Sequence, residues 1–261
     1  MEILGFFSAL LIGLVLGLMG GGGSILTVPI FVYILGISPV LATSYSLFVV
    51  GFTAMIGVVK NHQKNMVDLK TGVIFAIPSF FGVFFARKFI LPEIPHQIIS
   101  FNSFLLTKDV AIMLLFAVLM FVASFFMIKG RSESYSNEGI KYNIPLLIID
   151  GLIIGILTGL VGAGGGFLII PALVFFAKLP MKKAVATSLM IIAIKSLIGF
   201  TGDLGQLHID WMLLLSFTAI SVIGIFIGIY FNQFVKEKQL KQGFGFFIII
   251  ISIAIIIKEL I

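Results

Sequence analysis

Cysteine is absent from the 261 residues, which excludes disulfides, thiolate metal sites and a cysteine nucleophile and leaves the redox compartment undetermined. Charge is nearly as scarce. Asp, Glu, Lys and Arg make up 11% of the chain, against about 25% in an ordinary soluble domain. Eleven acids and seventeen bases do not coat a water-facing surface of this size. What stands in their place is 60% hydrophobic residues and a mean hydropathy of +1.23, arranged in runs long enough to span a bilayer. A soluble globular protein, a disordered chain and a collagen-like chain are thereby excluded, and the chain belongs in a membrane. The net charge of +6 does not mark a nucleic-acid binder, because the bases sit in short loops between apolar runs. The first run has no basic stretch before it and no small-residue cleavage site after it, so it is expected to be a membrane segment and not a removable leader.

The apolar runs cover 3–19, 25–35, 41–59, 71–85 and 110–128, then 144–161, 167–176, 184–200, 211–234 and 244–257. The runs at 25–35 and 167–176 reach less than about 20 Å as helices, too short for a hydrocarbon core of about 30 Å. They read as half-helices or re-entrant segments. The second series repeats the first. Gly17-Leu18-Met19-Gly20-Gly21-Gly22-Gly23-Ser24 and the following residues to Pro29 align with Gly159-Leu160-Val161-Gly162-Ala163-Gly164-Gly165-Gly166 and on to Pro171, at an offset of 142. Ala42-Thr43-Ser44 recurs as Ala186-Thr187-Ser188 at an offset of 144, and Asp68, Ser79 and Gly82 recur as Asp210, Ser221 and Gly224. The expected organisation is a first transmembrane repeat over 1–128, a hydrophilic linker over 129–143 and a second repeat over 144–261.

Charge placement separates two arrangements of these repeats. If each glycine cluster and short run adds no reversal, the repeats are parallel and the two faces carry seven and nine bases, no asymmetry. If each first helix and short run form a hairpin, the repeats are inverted and the faces carry twelve and four. The positive-inside rule selects the second arrangement, with the linker cytoplasmic and both termini outside. The expected fold is all-α: a polytopic membrane protein of two inverted repeats, each a glycine-broken hairpin followed by three transmembrane helices.

Inverted repeats with broken helices bind their substrates near the midplane. Gly21, Gly22, Gly23 and Ser24 open one half-helix, and Gly164, Gly165 and Gly166 open the other. Glycines permit close backbone approach, and each helix start carries roughly half a positive charge, so two such starts facing one another make an anion site. Thr43 and Ser44, with Thr187 and Ser188, either offer hydroxyls to the same anion or bond back to the preceding helical turn. Gly13 with Gly17, and Gly151 with Gly155 and Gly159, fit close helix packing instead.

Lys195 is the sharpest single residue. It lies inside the stretch at 184–202, eleven residues from its start and seven from its end, opposite Gly51 of the first repeat. A lysine there costs roughly 2.5–3.5 kcal/mol on insertion scales, and an intramembrane charge is functional by default. Two roles stand: contact with the anion, or a structural pair with Asp203, Asp150 or a backbone carbonyl. Asp68 and Asp210 each precede an apolar run and are expected to be helix N-caps. Asp203 and His208 lie at the expected outer face, where they either carry protons or sit in a solvated loop; the loop is the expectation. Tyr33, Trp211 and Tyr230 read as interfacial anchors.

The paired glycine–helix motifs, each followed by Ala-Thr-Ser, resemble the TauE/SafE sulfite exporter family of membrane permeases from Gly5 to about Ile257. The resemblance implies a multi-pass transporter of sulfite, sulfonates or related sulfur-containing anions in the cytoplasmic membrane of a prokaryote. Lipid and a small anion are the implied partners, with no nucleic acid, metal or cofactor; Lys195 rests on its own physical argument. Two other classes are weaker. An intramembrane enzyme lacks its machinery: no Gly follows Ser24, no HExxH occurs, and the three histidines lie in loops. A cation or metal permease wants ligands at depth that this core does not offer. An anion moving outward is driven by an interior-negative potential, which favours export, whereas import needs proton or sodium coupling.

Overall fold

In the computed structural model, which describes residues 2–101, 104–129, 144–162 and 164–260, every apolar run is helical. The first half holds α1 (Glu2–Met19), α2 (Gly22–Pro29), α3 (Pro39–Gln63), α4 (Leu69–Phe85), a single turn α5 (Leu91–Glu93) and α6 (Lys108–Lys129). The second holds α7 (Ile144–Val161), α8 (Gly166–Phe175), α9 (Met181–Thr201), α10 (Trp211–Asn232) and α11 (Glu237–Leu260). Seven of the described helices are long and apolar enough to cross a membrane, while α1, α2 with its extension and α8 are shorter. The expected linker lies, past Lys129, outside the described residues.

Local chemistry sets the helix starts. Asp68 accepts the Thr71 N–H at 2.9 Å and Asp210 accepts the Leu213 N–H at 3.1 Å, so both acids cap their helices as expected. Each cap is also docked on the other half. The Asp68 N–H donates to Thr187 Oγ1 at 2.9 Å, and the Asp210 N–H donates to Tyr45 Oη at 2.7 Å. Two helices end in wide π-helical turns: Ile30–Ile34 continues α2 past Pro29, and Ala86–Ile90 continues α4.

One element departs from the all-α expectation. β1 (Gln97–Phe101) pairs antiparallel with β2 (Phe104–Thr107), Gln97 opposite Thr107. This stretch reads as loop beside its neighbours because it is too short for a span. Its β-branched and aromatic residues after Pro95 are nevertheless hairpin material.

Glycine stripes join the halves. Gly13 and Gly17 on α1 lie directly on the backbone of Ser221, Ile225 and Gly228 of α10, and Gly224 and Gly228 return the contact. Gly151, Gly155 and Gly159 on α7 lie on Phe75, Ser79 and Val83 of α4 in the same way. A Cβ at these sites would strike partner backbone, which is the close approach small residues provide where lipid supplies no hydrophobic drive. Both pairs run parallel. At the centre α3 and α9, the equivalent helices of the two halves and the most buried spans, run antiparallel: Leu47 meets Gly199, Gly51 meets Leu197 and Gly57 meets Leu189. Outside, Phe81, Phe125, Ile149 and Ile223 are more than half exposed, an apolar surface suited to lipid.

Candidate functional site

The chain between α1 and α2 turns at Gly20, whose φ of +62° is left-handed, and between α7 and α8 at Gly162, Gly164 and Gly165, with φ of +69°, +61° and +69°. Side chains rarely adopt that conformation, so the second turn depends on these three glycines. The two turns meet: Gly21 and Gly166 touch backbone to backbone, and a Cβ on either would fall on the Cα of the other. Gly22 opens α2 behind Gly21, and α8 opens at Gly166 behind Gly165; neither helix start has a side-chain cap. Their first amides therefore have no partner within their own helices.

The Ala-Thr-Ser helices clamp these turns crosswise. Thr43 of α3 lies against Gly162, and Ser188 of α9 lies against Gly20. The hydroxyls are largely spoken for. Thr43 Oγ1 donates to Val40 O at 2.7 Å and Ser188 Oγ donates to Val185 O at 2.8 Å, the back-bonding alternative. Thr187 accepts from the Asp68 N–H. Ser44 Oγ is buried with no hydrogen-bond partner. Ser24 Oγ donates to Gly21 O at 2.6 Å, which holds the first turn, and Ser24 packs near Gly164. Gly23 faces Ile12 and Leu16 of α1, so its smallness serves the α1–α2 hairpin.

Lys195 is fully buried and reaches the second turn. Its Nζ donates to Thr158 Oγ1 at 2.6 Å and stands 2.6 Å from where a Cβ on Gly165 would be. Thr158 in turn donates to Gly155 O at 3.3 Å. Of the structural partners weighed for Lys195, Asp203 is engaged elsewhere, and the contact made is a hydroxyl. No carboxylate among the described residues lies within ion-pair distance of Nζ. The ammonium thus sits at the junction of two uncapped helix starts without a counter-charge. No group of three His, Asp or Glu suited to a metal occurs among the described residues.

Asp203 is a correction to the solvated-loop expectation. It is 3% exposed and accepts from Arg87 through one oxygen, Oδ2, at 3.1 Å from Nε and 2.5 Å from the second terminal nitrogen. The remaining terminal nitrogen of Arg87 donates to Thr43 Oγ1 at 2.9 Å. Arg87 itself is fully buried, although it reads as the basic end of a span. The sequence carries the signal: Phe85-Ala86 and Phe89-Ile90-Leu91 flank it, and the offset of 142 places it opposite Ile229, inside α10. His208 is exposed, as expected, as are Trp211 and Tyr230; Tyr33 instead donates to Glu259 at 2.5 Å.

The two ends of the α3/α9 pair differ. Near Asp203, Phe48, Phe200 and Trp211 pack together at centroid distances of 5.1–6.1 Å. At the other end Leu69, the counterpart of Trp211, lines an apolar crevice of about 570 Å³ with Met55, Val59, His62, Met190 and Ile194.

Comparison with known proteins places the chain among membrane transporters. The chain matches the sulfite exporter TauE/SafE family over residues 5–255. A protein of Xylella fastidiosa named "Probable membrane transporter protein" is 28% identical over 94% of this chain and 91% of its own length. The "Probable membrane transporter protein YunE" of Bacillus subtilis is 26% identical over 95% of this chain and 94% of its own. A like-named protein of the archaeon Methanocaldococcus jannaschii is 27% identical over 89% of this chain and 88% of its own. No solved structure matches the chain.

Proposed function

Because the chain belongs to the TauE/SafE sulfite exporter family and is a multi-pass membrane transporter, not an enzyme, we propose that it exports a small sulfur-containing anion such as sulfite or an organosulfonate. The anion binds near the midplane between the helix starts at Gly21–Ser24 and Gly164–Gly166, with Lys195 as the cation that meets it. One observation carries this reading: a buried ammonium without a carboxylate partner stands where two uncapped helix starts meet. Buried charge is tolerated only when paired, so a mobile anion is the natural counter-charge. Ser44, with its unpartnered hydroxyl, supplies a neutral donor nearby. Thr43, Thr187 and Ser188 act by holding the turns and caps.

We read the halves as inverted repeats in a prokaryotic cytoplasmic membrane, with the linker inside and the termini outside. The antiparallel α3/α9 pair supports inversion, since an axis along the membrane normal would set equivalent helices parallel. The charge split supports the orientation. Outward movement of an anion is then downhill by about 2.3 kcal/mol per charge per 100 mV. A second reading, proton-coupled import of an organic anion, is favoured by Asp150 on α7, whose Oδ2 is buried without a hydrogen-bond partner.

The test is a thermal-shift titration of the purified protein with sulfite, sulfate, thiosulfate, sulfoacetate and taurine. Ligand linkage predicts a rise in Tm of a few degrees with the transported anion, since binding at about 100 times Kd adds about 2.7 kcal/mol. The absence of any shift would sink the anion site. Flux into proteoliposomes that strictly required a proton gradient would replace export by the second reading.

A further inference from the structure

The Lys195 site leaves a second buried cation unused. Arg87 lies in the π-helical extension of α4, a geometry frequent at functional sites, and is fully buried. Its counterpart Ile229 is buried and apolar, so the fold does not need charge at this position. Nor is an ion pair in low dielectric a reliable source of stability, because an apolar pair of similar size often does as well.

The geometry is that of an oxyanion receptor. Three of the five guanidinium N–H donors are committed, two of them to a single oxygen of Asp203 and one to Thr43. The fork is therefore not matched bidentately to both oxygens, the arrangement a guanidinium favours with a carboxylate or other oxyanion. Thr43 rests on Gly162, which begins the turn that ends at Gly165 beside Lys195. Val83, one turn before Arg87 on α4, packs on Gly159 beside Thr158 and on Gly199, one turn past Lys195.

We propose that Arg87 is a second anion station, and that the Asp203 carboxylate is its intramolecular occupant until the transported oxyanion displaces it. The inference rests on the anion-transport reading above. An anion leaving Lys195 passes Val83 and takes the guanidinium fork, while Asp203 turns to the exposed rim at Leu204. When the anion departs, Asp203 returns and closes the route. The ligand class is a small oxyanion with at least two oxygens on one centre.

The experiment is a thermal-shift titration of full-length wild type and Asp203→Asn with sulfite, thiosulfate, sulfoacetate and taurine. The anion that stabilises wild type at the lowest concentration is then compared between the two. Removing the competing carboxylate is expected to lower the half-stabilising concentration by about tenfold. Wild type stabilised by an anion, with Asp203→Asn unchanged or weaker, overturns the second station alone. Wild type stabilised by none overturns the anion-transport reading and the station with it. If Asp203→Asn does not fold, Arg87→Leu with Asp203→Leu keeps the site filled. That variant is expected to carry the anion about tenfold more slowly than wild type in proteoliposomes; wild-type flux overturns the station.

Discussion

Leu16, Gly23 and Gly51 of the first half occupy the positions that Thr158, Gly165 and Lys195 hold in the second. In the first half Gly23 packs on Leu16 and Gly51 packs on Leu197, an apolar joint between helices. In the second, Gly165 packs on Thr158 and leaves room for the Lys195 ammonium bonded to it. Arg87 and Ile229 differ in the opposite sense. The glycine stripes and the Asp caps are the duplicated part, because any departure in the stripes breaks backbone packing. The buried cations Lys195 and Arg87 are the unduplicated part.

The largest effect is expected where the halves touch. Gly21→Ala or Gly166→Ala drives a methyl into backbone, and overpacking costs about 1–3 kcal/mol or more. Both variants are expected to lose flux and most of their folded yield, read by size-exclusion chromatography and proteoliposome assay. A normal elution profile with full transport would show that the turns need not touch.

A smaller and more selective effect is expected at the asymmetric triad. Lys195→Met is expected to lose flux by about 10- to 100-fold, the loss of a charged hydrogen bond. Its Tm should hold or rise, since a buried unpaired charge is removed. A large fall in Tm with normal flux would make Lys195 a structural residue and restore the likeness of the halves.

The smallest effect should be equal on both sides. Asp68→Ala and Asp210→Ala each remove one N-cap and are expected to cost about 1 kcal/mol, read as similar falls in Tm. A fall confined to one variant would show that the frame itself, and not only its charges, has diverged.

Much of this was legible along the chain. The repeat, the helices and the two Asp caps follow from runs and spacings a few residues long. Gly13, Gly17, Gly151, Gly155 and Gly159 also announce their packing role, because a stripe at helical spacing shows which face is small. Arg87 passed unnoticed for a local reason: a base just past the apolar run at 71–85 counts with the loop bases. Only the wide turn of Ala86–Ile90 carries it inward. Asp203 was misread with it, since an acid followed by Leu204 and Gly205 has the look of a loop until its partner is known. The hairpin of β1 and β2 was hidden by segments too short to weigh against the long spans around them.

Hydropathy, charge and duplication by themselves determined a membrane protein of two like halves, because a bilayer constrains each segment separately and leaves the mark in its own residues. The tertiary structure alone decided that Gly21 meets Gly166, that Lys195 finds Thr158 and that Arg87 finds Asp203. Those pairs join separate segments, two of them from opposite halves of the chain. Packing selects such contacts from many alternatives, and no local pattern encodes them.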